Sequence, residues 1–502
     1  MLSSSTIVVF LTCAICTCLI DAYTRLGSGK PPYPPGPRGY PYVGSINIPF
    51  KKPWFTYIEW GKKYGGMHPF NIIFSRTLKF GRHYLIINSY EIAKDLLEKD
   101  AQFTSDRSLS PLDVKIGWSR LFALAPYSLK WRSGRKLFNQ NFRSDATPQF
   151  HPAEIQCIRE FVSELATSKL PLLDQVATSV QVEARFPNTE FKLLSVSQKI
   201  MFKALYGVNI STNKDPAAET AREAIHGLET IMMPGLDALK FSPLHHLFPS
   251  LKSGSSNAMI QREVAKDTFE GPWAMMMTAL KGSDPNHDPQ SSLIPDLISK
   301  AAPDDSEALE AIKTMGGTAI AAAADTTMSA IATFFLAMSL YPNVQAKAQR
   351  ELDTVIGPGK LPTFYDRKSL PYIEAVYREV MRWHPAIPMG LPHATTADII
   401  YKGYYIPKGT IIFANIWAMT HNPTAFDNPD VFIPERHLPQ GNGNFESINS
   451  ILAYGFGRRV CVGRWMADDT IWLTIATVLA TTKISELPNE NVEDYFTDIS
   501  FW

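Results

Sequence analysis

Between Met315 and Ile331 the chain carries a single charged residue, Asp325, in a run otherwise made of Ala, Gly, Ile, Met, Ser and Thr. A helix that is apolar on every side has no face to turn to water and must be enclosed by protein. Pro303, Asp304 and Ser306 supply a helix start signal and Pro342 a stop. The helix between them, roughly 35 residues at 1.5 Å each, would span about 50 Å. Enclosing it takes a large, mainly helical domain. The chain has 502 residues, and no linker, repeat or low-complexity tract interrupts it after residue 45. Helical patterns over 54–64, 90–99 and from Arg464 to about Thr482 flank short apolar runs at 71–74, 84–87 and 401–415 that read as strands. Turns are expected near Gly81 and at Pro407-Lys408-Gly409. Residues 106–126 read as an irregular apolar loop over a pocket. The expected fold class is mainly α with small β-sheets, in one domain over 46–502.

The first twenty residues carry no charge, and 7–20 is a near-continuous apolar run. Twenty residues just cross a hydrocarbon core of about 30 Å. No basic region precedes the run, and Asp21-Ala22-Tyr23 makes a poor cleavage site, so residues 1–22 read as a retained transmembrane anchor. Positive charge starts only at Arg25, Lys30 and Arg38, which puts the following domain on the cytosolic side. The Pro-rich stretch within 23–45 reads as a stiff linker. Lys and Arg number 49 against 48 Asp and Glu, net +1. That balance argues against a nucleic-acid binder. Of five cysteines, three lie in the apolar run and two, Cys157 and Cys461, in the domain, which excludes a disulfide framework.

Cys461 sits in Tyr454-Gly455-Phe456-Gly457-Arg458-Arg459-Val460-Cys461-Val462-Gly463. A thiolate ligand needs stabilising, and backbone N–H groups at a glycine turn and helix start supply it. Glycines let backbone approach a large flat ligand, and Arg459 is placed to meet a carboxylate on it. A cysteine-ligated haem needs these features. A lone cysteine in a Gly-rich turn is more often structural, so other motifs must decide. No CxxC or HxxxH set near Cys461 offers a zinc site. Glu379 and Arg382, three apart, share a helix face, and Arg436 in Pro434-Glu435-Arg436-His437 would bring a second guanidinium to the glutamate. Asp325-Thr326 places an acid and a hydroxyl inside the apolar helix, as a proton path would; a threonine bonded back to its own helix is the plainer alternative. Trp131 and Arg135, four apart, face one side of a helix.

In this order and spacing the four motifs around Cys461, Glu379, Arg436 and Asp325 resemble the cytochrome P-450 family, fungal microsomal type, over most of the chain from about Pro31. The resemblance implies the cytochrome P-450 fold behind a single N-terminal transmembrane helix, with haem b as cofactor. It implies a monooxygenase that takes O2 and NADPH-derived electrons, passed by a flavoprotein reductase, and oxidises a hydrophobic small molecule. Cys461 would be the axial ligand of the haem iron, with Gly457 and Gly463 shaping its loop. Arg459, Trp131, Arg135 and His393 would hold the propionates. Thr326, helped by Asp325, would deliver protons, and Glu379, Arg382 and Arg436 would form a buried structural network. Ala319, Ile320, Ala323, 386–389 and 109–125 would line the pocket, with Ile231, Met232, Met233, Leu236 and Phe241 candidates for its entrance. Lys130, Arg132, Lys136, Arg458 and Arg464 could give the reductase a cationic face, with scattered solvated charge as the equal alternative. A terpenoid, polyketide or aromatic substrate of secondary metabolism is expected, on an endoplasmic reticulum membrane protein with its catalytic domain in the cytosol.

Departures from the family pattern are Ala323 for a glycine, Tyr454 for a phenylalanine and His437 for another aromatic residue. The chain stops soon after its last helix, which suggests a short C-terminus. Two rival readings are a haem-thiolate isomerase or dehydratase, which retention of Asp325-Thr326 argues against, and a non-catalytic haem protein, favoured only by that short end.

Overall fold

In the computed structural model the apolar run lies in a helix over Ser306–Leu340, 35 residues long. Asp305 caps it, its carboxylate accepting from Ala308 N at 2.9 Å. Pro342 starts the next helix and so ends this one. The helix is long and apolar enough to cross a membrane, but 78% of its most apolar window is buried inside the protein. The structure describes residues 29–37, 52–64, 72–76, 83–109, 111–167, 196–210, 220, 223–224, 249–282, 292–439 and 445–484. The expected anchor, the entrance residues 231–241, the turn at Gly81 and the chain end lie outside them.

In chain order we label α1 Pro53–Tyr64, β1 Ile72–Arg76, β2 His83–Ile87, α2 Tyr90–Lys94, α3 Leu129–Phe142, α4 His151–Thr167, α5 Val196–Met201, α6 Pro249–Lys281, α7 Leu293–Lys300, α8 Ser306–Leu340, α9 Pro342–Val355, α10 Pro371–Trp383, β3 His393–Ala394, β4 Ile399–Tyr401, β5 Tyr404–Ile406, β6 Ile411–Ala414, α11 Ile416–Thr420 and α12 Arg464–Thr481. The helical pattern over 90–99 is α2 continued by a π turn, Asp95–Lys99. The expected loop over 106–126 contains a short helix, Pro111–Ile116, and a 3-10 turn, Trp118–Arg120.

Helices α5, α6, α10 and α12 pack on α8, and Phe334, Phe335, Trp472 and Tyr377 are fully buried in the main core. Two glycines let neighbours approach α8. A Cβ at Gly316 would strike the Tyr206 hydroxyl, and one at Gly317 would lie 2.5 Å from the Phe269 ring. Mid-helix glycine costs roughly 1 kcal/mol against alanine, and close packing of α6 onto α8 offsets that cost.

The larger sheet has the order β1-β2-β6-β3. Strand β6 runs parallel to β2, pairing Ile412 with Leu85, and antiparallel to β3, pairing Ile412 with His393. This places His393 beside a buried apolar layer of Leu85, Ile87 and Ile412. The β4–β5 hairpin turns at Lys402-Gly403, both at positive φ. The expected turn at 407–409 is present and joins β5 to β6. The Pro-rich stretch docks on this hairpin. Tyr405 N donates to Pro32 O at 2.8 Å, and Lys30 Nζ reaches Asp398 at 3.2 Å and the Tyr405 hydroxyl at 2.7 Å.

Candidate active site

The cysteine loop is two 3-10 turns, Leu452–Tyr454 and Gly457–Arg459, closed by Cys461 N donating to Tyr454 O at 2.8 Å. Gly457 has φ +55°, and a Cβ there would overlap the Leu97 carbonyl oxygen. Its role is to let the loop press on the end of the Asp95–Lys99 turn; it does not line the cavity above the thiol. Gly463, at the start of α12, does line it, and its N–H reaches the sulfur. Arg135 Nη1 donates to Val460 O at 2.9 Å and Arg464 Nη1 to Cys461 O at 2.9 Å. Burial pushes the Cys461 thiol up, while the Gly463 N–H, Arg135 and Arg464 work against burial. Such a thiol becomes a thiolate most readily on binding a metal cation.

The accessible surface of Cys461 faces a cavity. One wall carries Arg107, Trp131, Arg135, His393 and Arg459. Arg459 donates through Nε to Ser105 O at 2.7 Å and through Nη2 to Ala125 O at 2.8 Å. Its Nη1 and the Trp131 Nε1 are buried with no partner among the described residues. Burial holds both Arg459 and Arg135 down to about 10. His393 Nδ1 donates to Thr104 O at 3.0 Å, which leaves Nε2 free of that bond. Burial, Arg107 and Arg459 hold its imidazole well below the usual range. Arg107, which the sequence reading passed over as part of a loop, is buried. It donates to Ala123 O at 2.9 Å, Leu391 O at 3.2 Å and Pro392 O at 2.7 Å. A buried donor left unpaired costs roughly 1–3 kcal/mol. Unpaired N–H groups beside crowded guanidiniums therefore fit a ligand that brings carboxylates.

Helix α8 lines the cavity too, through Ala319, Ala322, Ala323 and Thr326. The run 315–331 is buried except at Ala322, Ala323, Asp325 and Thr326, three of which face this space. Thr326 Oγ1 donates to Ala322 O at 2.8 Å, the plainer of the two expected states. Asp325 is half-buried and does not line the cavity. One residue is about 100° of helix rotation, enough to carry it off the wall. Ser197 on α5, another residue the sequence did not flag, donates to Ala323 O at 2.7 Å. Phe122, Ala386 and Ile387 line the cavity as expected; Ile320, Pro388 and Met389 do not.

Glu379 does not line the cavity and is fully buried. Arg382 binds it through both oxygens, at 2.7 and 2.8 Å; Arg436 Nε reaches Oε1 at 3.2 Å, and Ile433 N donates to Oε1 at 2.9 Å. His437, read as a mild departure, binds Oε2 at 2.8 Å. Burial opposes ionisation, yet the bonds from Arg382 and His437 hold the Glu379 carboxyl below the usual range. The network ties α10 to the segment that leads into the cysteine loop.

A cysteine lining an apolar cavity together with buried guanidiniums and two unpaired buried N–H groups fits a metal cofactor that bears carboxylates. The chain belongs to the cytochrome P-450 family, whose sequence model matches residues 34–501. It is 35% identical to cytochrome P-450 monooxygenase ple1 of Rhodocybe pseudopiperita over 465 residues, 91% of this chain and 84% of that protein. It is 33% identical to monooxygenase 208 of Postia placenta, over 93% of this chain and 87% of the relative. Identity to monooxygenase COX2 of Coprinopsis cinerea is also 33%, over 90% and 83%. Membership makes the chain an oxidoreductase of the monooxygenase class and implies haem and O2, which the open donors of Trp131 and Arg459 fit.

Proposed function

We propose that this protein oxidises a hydrophobic small molecule of terpenoid, polyketide or aromatic type in fungal secondary metabolism, using NADPH-derived electrons passed by a flavoprotein reductase. The observation that carries the reading is the shared cavity. Cys461, Thr326, Trp131 and Arg459 all line it, and Trp131 and Arg459 each keep one buried N–H with no partner among the described residues. In this reading the Cys461 thiolate would hold the haem iron, and Trp131, Arg135, His393 and Arg459, with Arg107, would hold its carboxylates. Haem, when bound, supplies the activation of O2. The chain supplies the rest. Apolar side chains such as Phe122, Ala319 and Ile387 exclude water and favour a greasy substrate. Thr326 can exchange its bond to Ala322 O for one to a cavity water and pass a proton there. Asp325, one residue away and off the wall, would load that proton from the solvent side.

Electron delivery is supported by the surface beside the cysteine loop. Arg132 lies over the Tyr127 ring at 5.1 Å, and Arg458 Nη1 donates to the Tyr127 hydroxyl at 2.6 Å. The cations of α3 and of the loop therefore meet in one exposed patch, suited to an acidic flavoprotein. Arg464 is turned inward to Cys461 O. Residues 1–22 are proposed as a single-pass anchor in the endoplasmic reticulum, 23–45 as linker, and 46–502 as a cytosolic catalytic domain. The uncharged N-terminal run supports this, as does docking of the Pro-rich stretch on the β4–β5 hairpin.

The test is expression in yeast with a reductase. The reduced carbon-monoxide complex should show a thiolate-type spectrum that Cys461→Ser removes, and membrane fractions should turn over apolar substrates only with NADPH. A serine variant that keeps the spectrum sinks the axial assignment. Turnover without NADPH or reductase would favour an isomerase.

A further inference from the structure

Away from the cavity, the packing of α4 on α12 brings one imidazole and two carboxylates together. His151 opens α4, Glu154 follows within one turn, and Asp469 stands in the second turn of α12. One ligating atom from each lies within 4.8 Å of the other two. His151 Nε2 and Asp469 Oδ2 are 3.2 Å apart, near the edge of about 3.4 Å expected of a tetrahedron with metal bonds of about 2.0–2.2 Å. The His151 ring stacks on Phe364 with centroids 3.7 Å apart, which fixes the imidazole.

Glu154 makes this more than a chance cluster. It is 0% exposed. Its Oε1 accepts from the Thr470 hydroxyl at 2.7 Å, while its Oε2 has no partner among the described residues. A buried carboxylate oxygen without a donor needs a proton or a cation. The nearness of a His151 nitrogen and an Asp469 oxygen, which a cation can bridge and a proton cannot, points to a cation. Arg367 bonds Glu374, Asp468 and Asp469, and Arg378 bonds Glu374 again. Among the described residues neither guanidinium bonds Glu154, whose donor is Thr470 alone.

We propose that His151, Glu154 and Asp469 bind one divalent transition-metal ion of the zinc class, with water completing its shell. The donor set selects this class. An imidazole with two carboxylates suits zinc, whereas calcium and magnesium prefer oxygen alone. His151 and Asp469 side chains are 24% and 18% exposed, which leaves a way in for the ion and its water. The ion clamps the start of α4 to α12, the helix that begins at the cysteine loop.

The experiment uses tag-free, haem-loaded, full-length protein in detergent, stripped with a chelator. Zinc chloride is titrated by calorimetry, and thermal unfolding is followed with and without zinc. We expect one zinc per chain at micromolar affinity or tighter, and a higher melting temperature with zinc. Asp469→Asn and His151→Gln should each weaken binding at least tenfold and remove the thermal gain, while the haem spectrum is kept. Cys157→Ser should bind as wild type does. X-ray absorption at the zinc edge of the wild type should show nitrogen and oxygen ligands only, which holds even if a variant fails to fold. No stoichiometric uptake, uptake that both variants retain, or a sulfur ligand overturns the proposal.

Discussion

The Arg459 guanidinium lies 4.2 Å from the centroid of the Trp131 ring, and each side chain keeps one buried N–H with no partner among the described residues. The stack holds both donors still at one edge of the cavity. Phe122 backs it, parallel to Trp131 within 9° at 5.2 Å. Neither donor is free to turn toward water, so each is preorganised for an incoming carboxylate.

Replacing Trp131 by Phe keeps the stack and deletes one donor. Loss of a hydrogen bond to a charged group costs about 1.5–3 kcal/mol, so haem should leave the variant at least about tenfold faster. Transfer of haem to an acceptor protein measures the rate. An unchanged rate would take Trp131 out of propionate binding.

Thr326→Ala should leave haem incorporation and thermal stability nearly unchanged, because among the described residues the hydroxyl bonds only to Ala322 O of its own helix. Product per NADPH should fall and peroxide should rise. A wild-type ratio of product to peroxide would remove this hydroxyl from proton delivery.

Glu379→Gln leaves Arg382 and Arg436 in a buried site without their counter-charge. Breaking such a pair destabilises by roughly 3–5 kcal/mol. His437→Phe keeps an aromatic ring and loses one bond to a carboxylate, at about 1.5–3 kcal/mol. Urea midpoints of the haem-loaded proteins should fall in that order; equal midpoints would show that the glutamate is not the hub.

Acid should loosen the segment around Trp417. His421 stacks on its ring at 3.9 Å, and His384 meets the ring edge-on at 5.5 Å. Burial, then Arg382, holds His421 down to about 3, and burial, then Lys52, holds His384 down to about 4. In the unfolded chain both return to near 6.5. The unfolded state therefore gains protons first, so stability present above about pH 6.5 is lost as pH falls toward the folded values. Melting temperatures between pH 7.5 and 5 should decline less steeply in His421→Phe than in wild type. Parallel curves would show that another group sets the acid limit.

The burial of α8, the loop around Cys461 and the Glu379–Arg382 pair were all legible in the sequence. Each depends on residues within a turn or two of one another, where hydrophobic period, glycine content and helix spacing act directly. The pairing of Trp131 with Arg135 on one helix face was legible for the same reason. Packing between distant segments decided the rest. Arg107 joins the cavity wall because the carbonyls of Ala123, Leu391 and Pro392 converge on it. Gly457 is required by the Leu97 carbonyl and not by the thiol, and His437 becomes a ligand of Glu379. Asp325 is turned off the wall that Thr326 joins, because neighbouring helices fix the rotation of α8. Local spacing tells which side chains share a face; only the docking of one element on another tells what that face meets.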